Sequence, residues 1–301
     1  MVAPATNASA TRSPAALSAR PWPLAAWLPV GLAAAAFVAL FAEPAASLFR
    51  DWLHEDDAGH GLLLFPVALW LAWRDGRHRD ARPDVKWGTT LLVAAVLLRA
   101  LGALAAELFT QRLAIWLAAL GLVVFCSGWR QVRHWWLPIT LLVLAIPLPA
   151  LITNKLAIPL QFRASQLGTA LIRWRHIPVV ASGNVITIPG QRLFVAEACS
   201  GLRSLTALIA LGVMIGGMFL KTLPSRLILL ALAVPVAVLV NGFRIFLTAF
   251  LMYFVDVALG RGFMHQTQGW ALFMVALAIL GGIAAVIRVA EVRARRGLAH
   301  G

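Results

Sequence analysis

Acidic residues are scarce in this chain: 12 Asp and Glu stand against 26 Lys and Arg in 301 residues, and charged residues of both signs make up only 13%. Soluble domains carry about 25% charged residues, so an ordinary water-soluble globule is excluded. Cysteine is nearly absent, with only Cys126 and Cys199 present. Two isolated cysteines supply neither a disulfide framework nor metal-ligand spacing, and no metal or cofactor is expected. G-x-S-x-G, H-E-x-x-H and P-loop patterns are missing, which argues against serine-hydrolase, zinc-protease and ATPase chemistry. No solenoid-type repeat is evident.

Apolar sequence is what the chain has in abundance. It is 61% hydrophobic, with a mean hydropathy of +0.83. Its apolar runs approach or exceed the roughly 20 residues a helix needs to cross hydrocarbon. The pattern predicts an all-α, polytopic transmembrane helical bundle of eight spans, at 24–47, 59–74, 87–106, 113–129, 134–151, 199–220, 226–250 and 268–288. Residues 1–22, rich in Ala, Ser, Thr and Pro, are expected to be a disordered cytoplasmic tail. Residues 23–290 form the transmembrane domain, and 291–301 a basic cytoplasmic tail. The run after Pro21 is too long for a signal-peptide core and is expected to stay as a helix.

A net charge of +14 could suggest nucleic acid, but the basic residues sit in short loops between apolar runs. There they carry topology, not a nucleic-acid face. With the N-terminus inside, one side collects Arg74, Arg77, Arg79, Arg82, Lys86, Arg130, Arg133, Lys221, Arg226, Arg288, Arg293, Arg295 and Arg296. Acidic Asp51, Glu55, Asp56 and Asp57 fall on the other. Both termini are expected in the cytoplasm.

The long outer segment, about 150–198, has structure of its own. Leu156, Leu160, Leu167 and Leu171, with Lys155, Arg163, Arg173 and Arg175 between them, predict an amphipathic helix lying in the membrane interface, its cations near lipid phosphates. Val185-Ile186-Thr187-Ile188, Pro189-Gly190 and Arg192-Leu193-Phe194-Val195 predict a small periplasmic β-hairpin. The hairpin leads into Cys199, which opens the sixth span from outside.

The same topology places Asn241 and Arg244 in the outer half of the seventh span and His265 in the outer loop before the eighth. A thiol, a guanidinium and an imidazole then share one level and one side. A thiol attacks well only as thiolate, and a helix N-terminus with nearby cations favours that form. His265 is suited to take the thiol proton and return it to a leaving amine. Arg244 is too weak an acid to act as a base; it suits a tetrahedral oxyanion or a substrate carboxylate.

Each residue also has a plainer explanation. A membrane cysteine is usually packing material, Arg244 has the alternatives of snorkelling or pairing with Asp256, and His265 alone would be a loop histidine. Cys126 is the internal control: it too precedes Ser-Gly, but lies toward the cytoplasmic end of the fourth span without His or Arg beside it, and is assigned to structure. Arg203, one turn past Cys199, suits either the thiol and substrate or a lipid phosphate. His60 belongs to an outer vestibule or caps a helix, and Arg99 within the third span needs a partner, with Glu107 nearby.

At these residues the chain resembles the exosortase/archaeosortase family of membrane cysteine transpeptidases. The resemblance rests on Ala198-Cys199-Ser200-Gly201-Leu202-Arg203-Ser204-Leu205, Asn241-Gly242-Phe243-Arg244-Ile245, and His265 ahead of Gly269-Trp270. His60-Gly61-Leu62-Leu63, Pro147-Leu148-Pro149 and Gly183-Asn184-Val185-Ile186 support it, over residues 50–288. The size is more like the B-type subgroup, and the periplasmic domain fused to some exosortases is expected to be absent.

The resemblance implies cleavage of exported proteins that carry a Pro-Glu-Pro motif, one transmembrane helix and a basic tail. The route would be a thioester acyl-enzyme and transfer to an acceptor at the outer face of the bacterial inner membrane, in a system linked to exopolysaccharide. Matched position by position, Cys199 would be the nucleophile, His265 the acid/base and Arg244 the stabiliser, with Arg203, Asn241 and His60 as substrate contacts. The implied partners are these membrane-anchored substrates and membrane lipids, not nucleic acid. The main rival reading is a transporter or lipid-handling protein without covalent chemistry, using Arg99, Arg203 and Arg244; a third is a scaffold subunit of a polysaccharide-export complex.

Overall fold

A computed structural model describes residues 24–55, 58–183, 185–194, 201–257 and 262–300, and the side chains within them except at 24–33, 150, 156–157, 194, 201–205, 262–266 and 297–300. Residues 1–43 form one compact unit and 44–301 another. Within the first, the Phe37 and Phe41 rings of helix α1 (Leu24–His54) pack in a tilted arrangement, centroids 4.8 Å apart and planes at 50°.

The second unit is built on helices α2 (Gly61–Asp75), α3 (Val85–Leu104), α4 (Leu108–His134), α5 (Trp136–Leu144) and α6 (Ala150–Trp174). Strands β1 (Val180–Ser182), β2 (Val185–Ile188) and β3 (Gln191–Phe194) follow, then helices α7 (Gly201–Phe219), α8 (Leu223–Phe254) and α9 (Gly262–His300). Among the described residues, four stretches are long and apolar enough to cross a membrane: Val85–Leu104, Leu108–His134, Leu223–Phe254 and Thr267–Arg296. The expectation of eight crossings exceeds this. Helix α2 has 15 residues and α5 has nine, which at 1.5 Å per residue is about 22 and 14 Å, short of the ~30 Å hydrocarbon layer. Helix α5 stops where Pro147 and Pro149 remove donors and force the preceding residues out of helical geometry.

Helices α3 and α4 form a tight hairpin because each has a side-chain cap and small residues where they touch. Asp84 accepts from the Trp87 amide at 3.2 Å, and Glu107 accepts from the Phe109 and Thr110 amides at 3.0 and 2.6 Å. Gly88 meets the Phe125 backbone, and Gly121 meets Leu91 and Leu92, close approaches that a larger residue would prevent.

Helix α4 breaks at Gly128, whose φ of 73° and ψ of 179° are not helical. A Cβ there would run into the Arg82 carbonyl. Replacing Gly128 with Ala combines a left-handed φ with a backbone collision, so a loss of at least ~1–3 kcal/mol is expected from conformational strain alone. Thermal unfolding in detergent reads it; an unchanged transition would contradict this reason for the break.

The segment expected to form an amphipathic interfacial helix is α6, and one of its faces is taken up by protein. Ala164, Ser165, Gly168, Thr169 and Ile172 are buried, and Leu167 packs over Gly242 of α8. Beyond it the predicted hairpin is present, joined by a third strand. The sheet order is β1-β2-β3, antiparallel, with Ile188 paired to Gln191 across Pro189-Gly190. Gly190 takes a φ of 76° in that turn, the conformation glycine supplies without strain. Ile186, Ile188 and Leu193 join Ile172 of α6 and Ile245, Ala249 and Met252 of α8 in one core cluster, so the sheet is seated on the α6–α8 pair.

Helix α8 starts with Thr222 as N-cap and a proline in its first turn, which suits the free amides there. Glu291 of α9 reaches the same end. It accepts from the Lys221 amide at 3.2 Å, the Thr222 amide at 2.9 Å and the Thr222 hydroxyl at 2.6 Å, so α9 is tied to the start of α8.

Candidate active site

The segment Asn241-Gly242-Phe243-Arg244-Ile245 lies within α8, where each residue turns about 100° from the last. Gly242 and Ile245 therefore share one face, Arg244 and Thr248 another, and Phe243 points away from both. The packing follows this division. Gly242 lies against Leu167, and Ile245 against Gly168, on the α6 side. Phe243 is exposed, and Asn241 is buried between the two faces.

Arg244 is half-buried and turns toward α9. A Cβ on Gly269 would stand 2.9 Å from one terminal guanidinium nitrogen. One turn along α8, the Thr248 hydroxyl lies 3.4 Å from Gln268 Oε1. These two contacts form the seam between α8 and α9. His265 is four residues before Gly269, in the first turns of α9, so their backbone positions share a face of that helix. Asp256 follows the end of α8 at Phe254, about 15 Å of helical rise beyond Arg244.

Cys199 lies outside the described residues. Its segment joins β3, seated on the α6–α8 core, to α7. Arg203 is the third residue of α7. His60 stands just before α2, and its Nε2–H donates to the Leu144 carbonyl at 3.2 Å, pinning the start of α2 to the end of α5. Cys126 is an exposed free thiol on α4, the helix that packs on α3 and α5.

A cavity of about 300 Å³ opens elsewhere, between the end of α1, the start of α4 and the Pro147–Pro149 turn. Asp51, Glu55, Glu107 and Arg112 stand in its wall. Arg112 is buried and pairs with Asp51 at 2.7 Å and the Ser47 hydroxyl at 3.3 Å. Burial alone would raise the Glu107 carboxyl, but the hydrogen bonds from Thr110 and Phe109 and the Arg112 charge outweigh it. The net direction is below the ordinary carboxylate value. Glu107, the partner suggested for Arg99, is the side-chain cap of α4. Neither Asn241 nor Arg244 lines this cavity.

Sequence reasoning singled out Arg244 and His265, gave Gly269 only as part of the motif that carries the resemblance, and missed Thr248 and Gln268. The available signal was helical spacing, because Gly269 is four residues from His265 and Thr248 four from Arg244.

Crossing-length helices with a cationic seam and a small seated sheet define a helical membrane protein. The transmembrane exosortase family model matches residues 52–282, and the chain belongs to that family, whose members are cysteine-type membrane transpeptidases. No curated protein matches the chain, and no solved structure does.

Proposed function

We propose that the protein cleaves C-terminal sorting tails of exported membrane-anchored proteins, with Cys199 as nucleophile, at the periplasmic face of the inner membrane. The observation that carries this reading is the α8–α9 seam, where the Arg244 head lies against Gly269, one turn from the His265 position. His265 takes the thiol proton, and the Cys199 sulfur attacks the scissile carbonyl carbon. Arg244 holds the negative oxygen of the tetrahedral intermediate. Collapse breaks the C–N bond, the amine leaves with the proton from His265, and a thioester remains. An acceptor nucleophile then gives its proton to His265, attacks the thioester and releases the thiolate.

Substrates with a Pro-Glu-Pro motif, one helix and a basic tail fit this reading. The segment 150–194 carries Lys155, Arg163, Arg173, Arg175 and Arg192 and no Asp or Glu, which complements an acidic motif. The test is co-expression with a reporter bearing such a tail, with hydroxylamine added to intercept the acyl-enzyme. A shortened reporter ending in a hydroxamate is the expected product. A full-length reporter, or cleavage with no hydroxamate at any hydroxylamine concentration, would overturn the thioester route.

A further inference from the structure

Gly269 has no side chain, yet it meets Arg244 from α9. Beyond the 2.9 Å approach to one terminal nitrogen, a Cβ there would lie 3.1 Å from Cζ and 3.3 Å from the other terminal nitrogen. All three atoms belong to the guanidinium head, so that head rests over the α9 backbone at the missing Cβ. Gly281 and Gly282 are in the same helix, and a Cβ on either meets nothing within 4 Å. Glycine weakens a helix relative to alanine; at 269 the vacant position is filled by a charge from the neighbouring helix.

We infer that Gly269 is a positioning residue for Arg244: its missing side chain is the seat of the guanidinium. Because His265 is four residues earlier on α9, about 6 Å along the axis, the seat also sets how Arg244 and His265 stand to each other. The inference rests on the cleavage chemistry proposed above for its catalytic consequence, and on geometry alone for the seat.

A methyl group at 269 presses on the far end of a long flexible side chain. Such an end gives way without unfolding the protein, so the guanidinium moves while the bundle persists. Displacing an oriented catalytic group by about 1 Å lowers the rate by up to ~100-fold. Gly269→Ala is therefore expected to lower kcat about 10–100-fold with little change in KM, while Gly281→Ala and Gly282→Ala keep the wild-type rate. Gly269→Ser should fall with Gly269→Ala. All four should run as folded monodisperse protein with thermal transitions near the wild type.

A second readout does not use activity. Phenylglyoxal modification of Arg244, followed by peptide mass spectrometry, should speed up several-fold in Gly269→Ala and stay unchanged in Gly281→Ala. A wild-type rate in Gly269→Ala, an equal loss in Gly281→Ala, or unchanged Arg244 reactivity in Gly269→Ala would each overturn the seat. If the wild-type protein leaves the tail reporter whole, the cleavage proposal fails by itself, and the phenylglyoxal result still decides the seat.

Discussion

Cys199→Ala should lower tail cleavage by at least ~10⁴-fold, the loss typical of removing a nucleophile from a cooperative catalytic set. Cys199→Ser should be nearly as poor, because a hydroxyl is far less ionised than a thiol near neutral pH and the imidazole must do more to activate it. Cys126→Ala should cleave at the wild-type rate. Cys126 is an exposed thiol on α4, a helix that packs on α3 and α5. The comparison also distinguishes catalysis from transport. A lipid-handling or transport protein using Arg99, Arg203 and Arg244 would work equally well with Ala at 199. Gel mobility of the reporter, with each variant at matched membrane abundance, reads the outcome. Processing by Cys199→Ala would remove the nucleophile assignment, and loss confined to Cys126→Ala would transfer it to the other thiol.

The largest stability effect is expected at Asp51. Arg112 is 4% exposed and holds Asp51 at 2.7 Å. Its Nε has no hydrogen-bond partner among the described residues, so the ion pair carries much of the compensation for a buried charge. Removing one partner of such a pair costs about 3–5 kcal/mol, because the other charge stays desolvated. The two halves are unequal. Asp51 keeps a third of its side chain exposed and can return to water, whereas Arg112 cannot. Asp51→Ala should therefore destabilise far more than Arg112→Met, and the double replacement should be milder than Asp51→Ala alone. This is a non-additive cycle of the kind shared partners produce. Thermal transitions of the three variants in detergent give the order; Asp51→Ala no worse than Arg112→Met would refute the buried-charge account.

The helices were legible because long apolar runs admit few other structures in a chain with so little charge. The β2–β3 hairpin was legible from Pro189-Gly190 between two alternating apolar stretches. Strand β1 was not, since Val180-Ala181-Ser182 has no alternation and depends on pairing with β2. The stretch 134–151 looked like one span because hydropathy averages over Pro147 and Pro149, which end α5 after nine residues. On α6, periodicity gave a stripe of Leu160, Leu167 and Leu171 that is half-buried, whereas the fully buried Ala164, Ser165, Gly168 and Thr169 are small or polar residues that hydropathy does not single out. At the candidate site, Asn241 and Arg244 stood out as polar groups in an apolar run. Gly269 stood out only as a motif residue of the resemblance; its contact with Arg244 could not be read, because it depends on an absent side chain that matters only once α8 lies beside it.

Glu291 acquires a further meaning from its place at the far end of α9. Its carboxylate holds the Lys221 and Thr222 amides just ahead of α8, while near the opposite end of the shared seam Gln268 and Gly269 lie against Thr248 and Arg244. Fastened near both ends, α8 and α9 cannot part like a pair of doors without losing several hydrogen bonds together. Under the cleavage proposal, a substrate helix arriving from the lipid would then have to enter along another wall of the bundle, with α8 and α9 as a fixed post.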